Sequence, residues 1–250
     1  MKHTDFDKFY QLHHQSKPLL IANAWNVTSA LVIENAGYDA IATSSGAIAD
    51  SLGYKDGEVI PFSELLYVIK RIKSCISLPL SVDMERGYAK DFETLTDNIQ
   101  RIIDLGVAGI NIEDAEGEDP YLEKLTCIKD YLEKTGQKLF INARTDAFLL
   151  KLSSPLETTL KRARRYQDAG ADGLFVTGVQ ETNIIKEICS STALPVNVVG
   201  VSKLSSINRL AECGVRRISM AVLLFKATYS QMGHIANKIL KDQSLAPLHS

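Results

Sequence analysis

Three acidic residues stand where predicted strands end: Asp83 and Glu85 in LPLSVDMERG, and Glu113 in GINIEDAEG. Residues two apart on a strand point to one face, so Asp83 and Glu85 project together, with Val82 and Met84 on the other side. Two ionised carboxylates that close repel each other unless positive charge sits between them. Either a cation or an arginine belongs there, and Arg144 in INARTDA is the candidate arginine. Oxygen-only ligands suit Mg2+ or Mn2+, with water completing the shell. Such an ion chelates a 2-oxo acid through its carboxylate and keto oxygens and stabilises the enolate left when a neighbouring bond breaks. Arg144 would then bind a second anionic group. The alternative for Arg144 is an internal salt bridge to Glu113 or Asp146.

Absences narrow the chemistry further. His3, His13, His14, His234 and His249 all lie near the chain ends, which argues against a histidine zinc site or a triad. Lys138, at a strand start, is the nearest a lysine comes to a strand interior, so a Schiff-base aldolase is not expected. The seventh and eighth loops (VVGVSKLSS and SMAVLLF) lack the Gly-rich cradle of barrels that take sugar phosphates. Cys75, Cys127, Cys189 and Cys213 are far apart and form no CxxC pair. They read as reduced thiols buried on helices, which implies a cytoplasmic setting.

The elements that must position these residues follow from periodicity. Strand patterns fall at 19–24, 40–45, 78–85, 109–114, 138–145, 173–178, 194–199 and 216–221, with helix patterns such as 62–76, 92–105 and 156–168 between them. NAGYDAI, DLGVAGI, DAGADGL and ECGVRRI each place Gly just past a helix end and before a strand. Strands alternating with helices imply a parallel sheet, and eight such units in 250 residues fit a closed (β/α)8 barrel of the TIM type. An open doubly wound sheet would call for a Gly-rich first turn, and NAWNVTS is not one. Chemistry in a barrel collects at the C-terminal strand ends. Those ends carry Asn23 and Trp25, then Ser44, Ser45 and Gly46, Asp83 and Glu85, Glu113 and Asp114, and Asn142 and Arg144; Thr177, Asn197 and Ser219 follow.

Bulk properties exclude other classes. A net charge of -2 and a pI near 6.2 give no pull toward nucleic acid or anionic membrane. No apolar run reaches the ~18 residues of a membrane span, and the polar N-terminus has no signal-peptide core. No linker or low-complexity tract interrupts the chain, so residues 1–250 read as one domain.

Four ordered segments resemble the isocitrate lyase / phosphoenolpyruvate mutase superfamily, and the likeness spans nearly the whole chain. SSGAIADSLGYKDG resembles its substrate-binding Ser/Gly turn and LG-x-x-D motif, which maps to Asp56. VDMERGY resembles its metal strand, INIEDA its metal-shell Glu strand, and INARTDA its substrate-binding Arg strand. The resemblance implies a modified (β/α)8 barrel with an extra C-terminal helix, here about 222–241, and a Mg2+ site held by Asp83, Glu85 and Glu113. It implies that Ser44, Ser45 and Gly46 bind a substrate carboxylate and that Asp56 orients water on the metal. Arg144 and Asp56 are the catalytic candidates, and Asn197 is a further substrate ligand. It also implies a homotetramer, a dimer of dimers, whose subunits exchange the C-terminal helix. Two departures matter. The Lys-Lys-Cys-Gly-His loop of the isocitrate-type lyases is replaced by DAEGEDPYLEKLTC, with Cys127 on the next helix. Ala115 stands where the mutases carry Lys. The chain therefore reads as a short-loop member acting on a 2-oxo or 2-hydroxy carboxylic acid, by C–C cleavage or decarboxylation. Phosphonopyruvate C–P chemistry and a non-catalytic 2-oxo acid binder are the alternatives.

Overall fold

The computed structural model describes residues 4–204 and 206–249; His3 lies outside them. Eight parallel strands close into a barrel in chain order: β1 (Leu19–Ala24), β2 (Ile41–Thr43), β3 (Leu80–Asp83), β4 (Gly109–Glu113), β5 (Phe140–Thr145), β6 (Gly173–Val176), β7 (Val196–Val199) and β8 (Arg217–Ser219). The ring closes where Leu19 and Ile21 of β1 pair with Arg217 and Ser219 of β8. The expected (β/α)8 barrel is the architecture. β1 has its expected bounds, and the other strands are shorter at one end or both.

The helices are α1 (Asp5–His14), α2 (Val27–Asn35), α3 (Ser45–Ser51), α4 (Phe62–Lys73), α5 (Phe92–Asp104), α6 (Glu118–Thr135), α7 (Pro155–Asp168), α8 (Thr182–Ser191), α9 (Ile207–Glu212) and α10 (Leu223–Asp242). Apolar residues at three- and four-residue spacing bury one face of α4, α5 and α6, as with Leu95, Ile99 and Ile102 of α5. Gly37, Gly106, Gly170 and Gly214 follow α2, α5, α7 and α9 with φ of 87°, 77°, 88° and 93°, the left-handed helix ends that the sequence pattern predicts. α10 is the expected extra C-terminal helix.

The inside of the barrel is graded. Its N-terminal end is apolar: Phe9 of α1 inserts among Leu19, Ile21, Ala40, Ala42, Ala108 and Phe140. A Cβ on Gly109 would stand 2.9 Å from both Phe9 and Phe140, so a glycine there lets the plug seat. Toward the C-terminal end the inward positions turn polar, with Ser81 and Asp83 on β3, Asn111 and Glu113 on β4, and Asn142 and Arg144 on β5. Among the described residues no helix is long and apolar enough to cross a membrane. All four cysteines are free, but the expectation that they are buried on helices is corrected. Cys75 is exposed beyond the end of α4, Cys213 follows α9, and only Cys127 and Cys189 lie within helices, half-buried.

Candidate active site

Asp83 is the last residue of β3, and its backbone N–H donates to the Thr43 hydroxyl across the sheet at 3.0 Å. Its Oδ2 accepts the Ser45 hydroxyl at 2.9 Å. Ser44 is the N-cap of α3, its hydroxyl accepting the Ala47 N–H, so Ser45 and Gly46 form the first turn of that helix. The Asp56 carboxylate lies against that turn: a Cβ on Gly46 would be 3.0 Å from Asp56 Oδ2. The Ser-Gly turn, Asp56 and Asp83 are thereby brought together as the sequence predicts.

Glu85 reaches the site by a different route from the one expected. The strand stops at Asp83, and Glu85 adopts a left-handed φ of 45°, so strand alternation does not set its direction. The turn continues through Gly87 (φ 108°) and Tyr88 (φ 54°). The Tyr88 hydroxyl donates to Glu85 Oε1 at 2.5 Å, and the Glu85 carbonyl accepts the Glu113 N–H at 2.8 Å. The second bond extends the β3–β4 pairing past the strand and sets Glu85 beside Glu113.

Glu113 and Arg144 are register partners on β4 and β5. Arg144 Nη1 meets Glu113 Oε2 at 2.7 Å, while its Nε and Nη2 form a two-pronged pair with Asp146 at 2.7 and 2.8 Å. Both internal salt bridges that the sequence left open for Arg144 are therefore present. Asp146 also accepts the Thr177 hydroxyl at 2.5 Å. Its backbone N–H donates to Asp114, whose second oxygen takes Arg162 Nη1 at 2.6 Å and the Tyr166 hydroxyl at 2.7 Å. The Asp114 carboxylate is fully buried. These contacts fix Arg144 from behind, in the way buried ionic networks need full hydrogen bonding to persist.

Crowding of like charges shows in the acidities. Burial, with Asp83, Asp56 and Glu58 nearby, pushes Glu85 up to about 7 against the pull of the Tyr88 hydrogen bond. Burial also pushes Glu113 to about 7, with Asp83, Asp146 and Glu85 adding to the rise and Arg144 opposing it. Asp83 is raised too, by burial first and by Asp56, against Arg144 and Ser45. One contacting guanidinium does not balance this much carboxylate. An oxygen-only, electron-rich donor set of this kind fits a hard divalent cation. Among the described residues no three such groups stand close enough together to hold an ion.

Two candidates lie differently. Asn197 is completely buried on β7, Cα-paired with Arg217, and neither polar atom of its amide has a protein partner. It makes no hydrogen bond to the carboxylates. Arg217, unremarked in the sequence, is also completely buried. It lies 5.8 Å above the Phe9 ring and reaches Asn111 Oδ1 at 3.5 Å. Burial pushes its acidity constant down to about 9, against the pull of Asp83. Glu58, Tyr88, Asp114, Asp146, Arg162 and Tyr166 support the site without having been assigned roles from sequence. Asp114, beside Glu113 at a strand end, and Asp146, two positions from Arg144 and just past β5, carried a signal in the sequence.

The chain is similar to known proteins over most of its length. An uncharacterised protein of Mycobacterium tuberculosis is 33% identical over 242 residues, covering 95% of this chain and 90% of that protein. The 2-methylisocitrate lyase of Escherichia coli strain K12 is 27% identical, with 91% and 82% covered. A crystal structure from Burkholderia cenocepacia J2315, provisionally named a phosphonomutase, is 35% identical and superposes with a TM-score of 0.86, covering 92% of this chain and 97% of that one. Residues 9–240 match the phosphoenolpyruvate phosphomutase family. The chain belongs to the phosphoenolpyruvate phosphomutase family.

Proposed function

We propose that the protein is a Mg2+-dependent lyase that breaks a C–C bond next to a 2-oxo or 2-hydroxy carboxylate, by retro-aldol cleavage or decarboxylation, leaving an enolate. The observation that carries this reading is the gathering of Asp56, Asp83, Glu85 and Glu113 at one mouth of the barrel, with Arg144 paired to Glu113. Buried like charges persist where something positive compensates them. Asp83, Glu85 and Glu113 would hold Mg2+, or Mn2+, directly or through water. The ion would supply Lewis-acid stabilisation of negative charge on substrate oxygens.

The chain's own residues account for orientation. Ser44, Ser45 and Gly46 would hold a substrate carboxylate by hydroxyl and backbone N–H groups, and Asp56, packed on Gly46, would position a water. Asp146 takes two of the five guanidinium N–H groups of Arg144 by hydrogen bond, and Nη1 meets Glu113 as an ion pair. The remaining Nη1 and Nη2 N–H groups would serve a second anionic group, in a plane that Asp146 fixes. Asn197, sealed below the site, is the weakest of the candidate ligands.

Only residues 114–117 join β4 to α6, consistent with a short-loop member. Cys127 lies on α6 and burial raises its thiol, which does not favour an acid–base role. α10 buries only Phe225 and exposes Leu223, Tyr229, Met232 and Leu240, which supports helix exchange within a homotetramer. Four free cysteines support a cytoplasmic setting.

The experiment is turnover of oxaloacetate and substituted malates by metal-stripped protein with and without added Mg2+. Product release that requires Mg2+ and is lost in Glu113→Gln is expected; turnover indifferent to EDTA would sink the proposal. The Burkholderia structure keeps one alternative in view, C–P chemistry on phosphonopyruvate, which phosphate or phosphoenolpyruvate release would reveal. Mg2+-dependent oxalate binding without turnover across the panel would identify a 2-oxo acid binder instead.

A further inference from the structure

The turn that carries Glu85 is held together by a residue with no part in the proposed chemistry. Glu85 and Tyr88 both have left-handed backbones without being glycine, a conformation that survives only where the surroundings over-determine it. The surroundings here are specific. Glu58 Oε1 accepts both the Arg86 and the Tyr88 backbone N–H at 2.8 Å. Its Oε2 meets Arg86 Nη2 at 3.2 Å. The Gly87 N–H goes back to the Met84 carbonyl at 2.7 Å. On the acceptor side, Asn98 Nδ2 serves the Gly87 and Tyr88 carbonyls, and Lys124 Nζ serves the Arg86 carbonyl.

Glu58 joins the turn to the loop that bears Asp56, two residues earlier, together with the bond from Arg86 Nη2 to the Gly57 carbonyl at 3.1 Å. It also holds the two donors that flank Gly87, and so sets where the Tyr88 hydroxyl points. That hydroxyl in turn orients Glu85. We propose that Glu58 is the positioning residue of the site: its carboxylate fixes the 85–88 turn to the Asp56 loop and presents Glu85 to the ligand. The inference rests on the reading of Glu85 as part of a cation shell. Second-shell partners of this type commonly change metal affinity by about 10- to 100-fold when removed.

Reach and charge are separable. Glu58→Gln keeps an acceptor oxygen at the same distance and loses the charge. Glu58→Asp keeps the charge and is one carbon too short to hold both N–H groups. The readouts are Mn2+ affinity by water-proton relaxation and amide exchange at Arg86 and Tyr88. Positioning predicts that Glu58→Asp binds Mn2+ about tenfold or more weakly and exchanges both amides faster, while Glu58→Gln stays within about threefold of wild type. Wild-type behaviour of Glu58→Asp, or loss in Glu58→Gln alone, overturns it. Wild-type protein that binds no Mn2+ would contradict the cation reading by itself. The amide exchange would then still decide the role of Glu58: protection unchanged in Glu58→Asp overturns it, and protection lost there but kept in Glu58→Gln supports it.

Discussion

Glu113→Gln should stabilise the metal-free protein above neutral pH. Burial holds Glu113 at about 7 in the folded state against an ordinary 4.5. Between those values the folded protein binds more protons than the unfolded chain, so this group's contribution is fully present below pH 4.5 and is lost as the pH rises through 7. At about 1.4 kcal/mol for each pH unit, ionising Glu113 in place costs about 3 kcal/mol, and solvent screening of a carboxylate near the barrel mouth reduces this to about 1–2 kcal/mol. That figure already includes the favourable contact with Arg144, which glutamine would weaken. For a chain of this length it corresponds to a Tm about 2–8 °C higher for Glu113→Gln at pH 8, shrinking to nothing near pH 5. The assay is thermal unfolding of both EDTA-treated proteins across pH 5–8, where the difference between them cancels every other titration. Saturating Mg2+ should close or reverse the gap at pH 8 by stabilising only the protein with the intact carboxylate. A variant no more stable than wild type at pH 8, or equally stabilised at both ends of the range, would refute the reasoning that these carboxylates are buried in excess.

Asp114→Ala should destabilise by about 3–5 kcal/mol in urea unfolding, because it leaves the buried Arg162 guanidinium without its partner. Arg144→Lys cannot keep both the two-pronged Asp146 contact and the Glu113 contact; losing charge-assisted bonds worth ~1.5–3 kcal/mol should lower kcat/KM roughly 10- to 100-fold. Tyr88→Phe removes the hydrogen bond that lowers Glu85, so the pH at which Mn2+ affinity reaches half its maximum should move upward, with affinity recovered at alkaline pH. A titration curve that does not move would show that the 2.5 Å contact has no electrostatic effect.

The barrel was legible because its signals are local and repeated. β-branched runs and helical apolar spacing recur along the chain, Gly marks several of the helix ends, and eight units leave closure as the natural arrangement. Asp83, Glu113 and Arg144 were legible because each sits at a strand end, where chain direction alone fixes the face. Glu85 was placed in the right cluster by the wrong argument. Alternation stops when the strand stops, and the left-handed turn that redirects Glu85 depends on Glu58, nearly thirty residues away. The backing of Arg144 was hidden for a similar reason. Arg162 and Tyr166 lie on one face of α7, where a sequence reading assigns an arginine to solvent; only the packing of α7 on β5 and β6 aims them at Asp114. Arg217 opens β8 in a pattern that looks like a surface strand start, and nothing near it in sequence marks it as buried above Phe9.

The central claim is that the carboxylates at the barrel mouth exist to hold a cation that in turn holds an enolate-like acid. Calorimetric titration of oxalate, an enolate mimic, into metal-stripped protein tests it most directly. Binding that appears only with Mg2+ or Mn2+, and disappears in Glu113→Gln, is the result predicted. Oxalate that binds equally well without the ion, or not at all with it, would contradict the account.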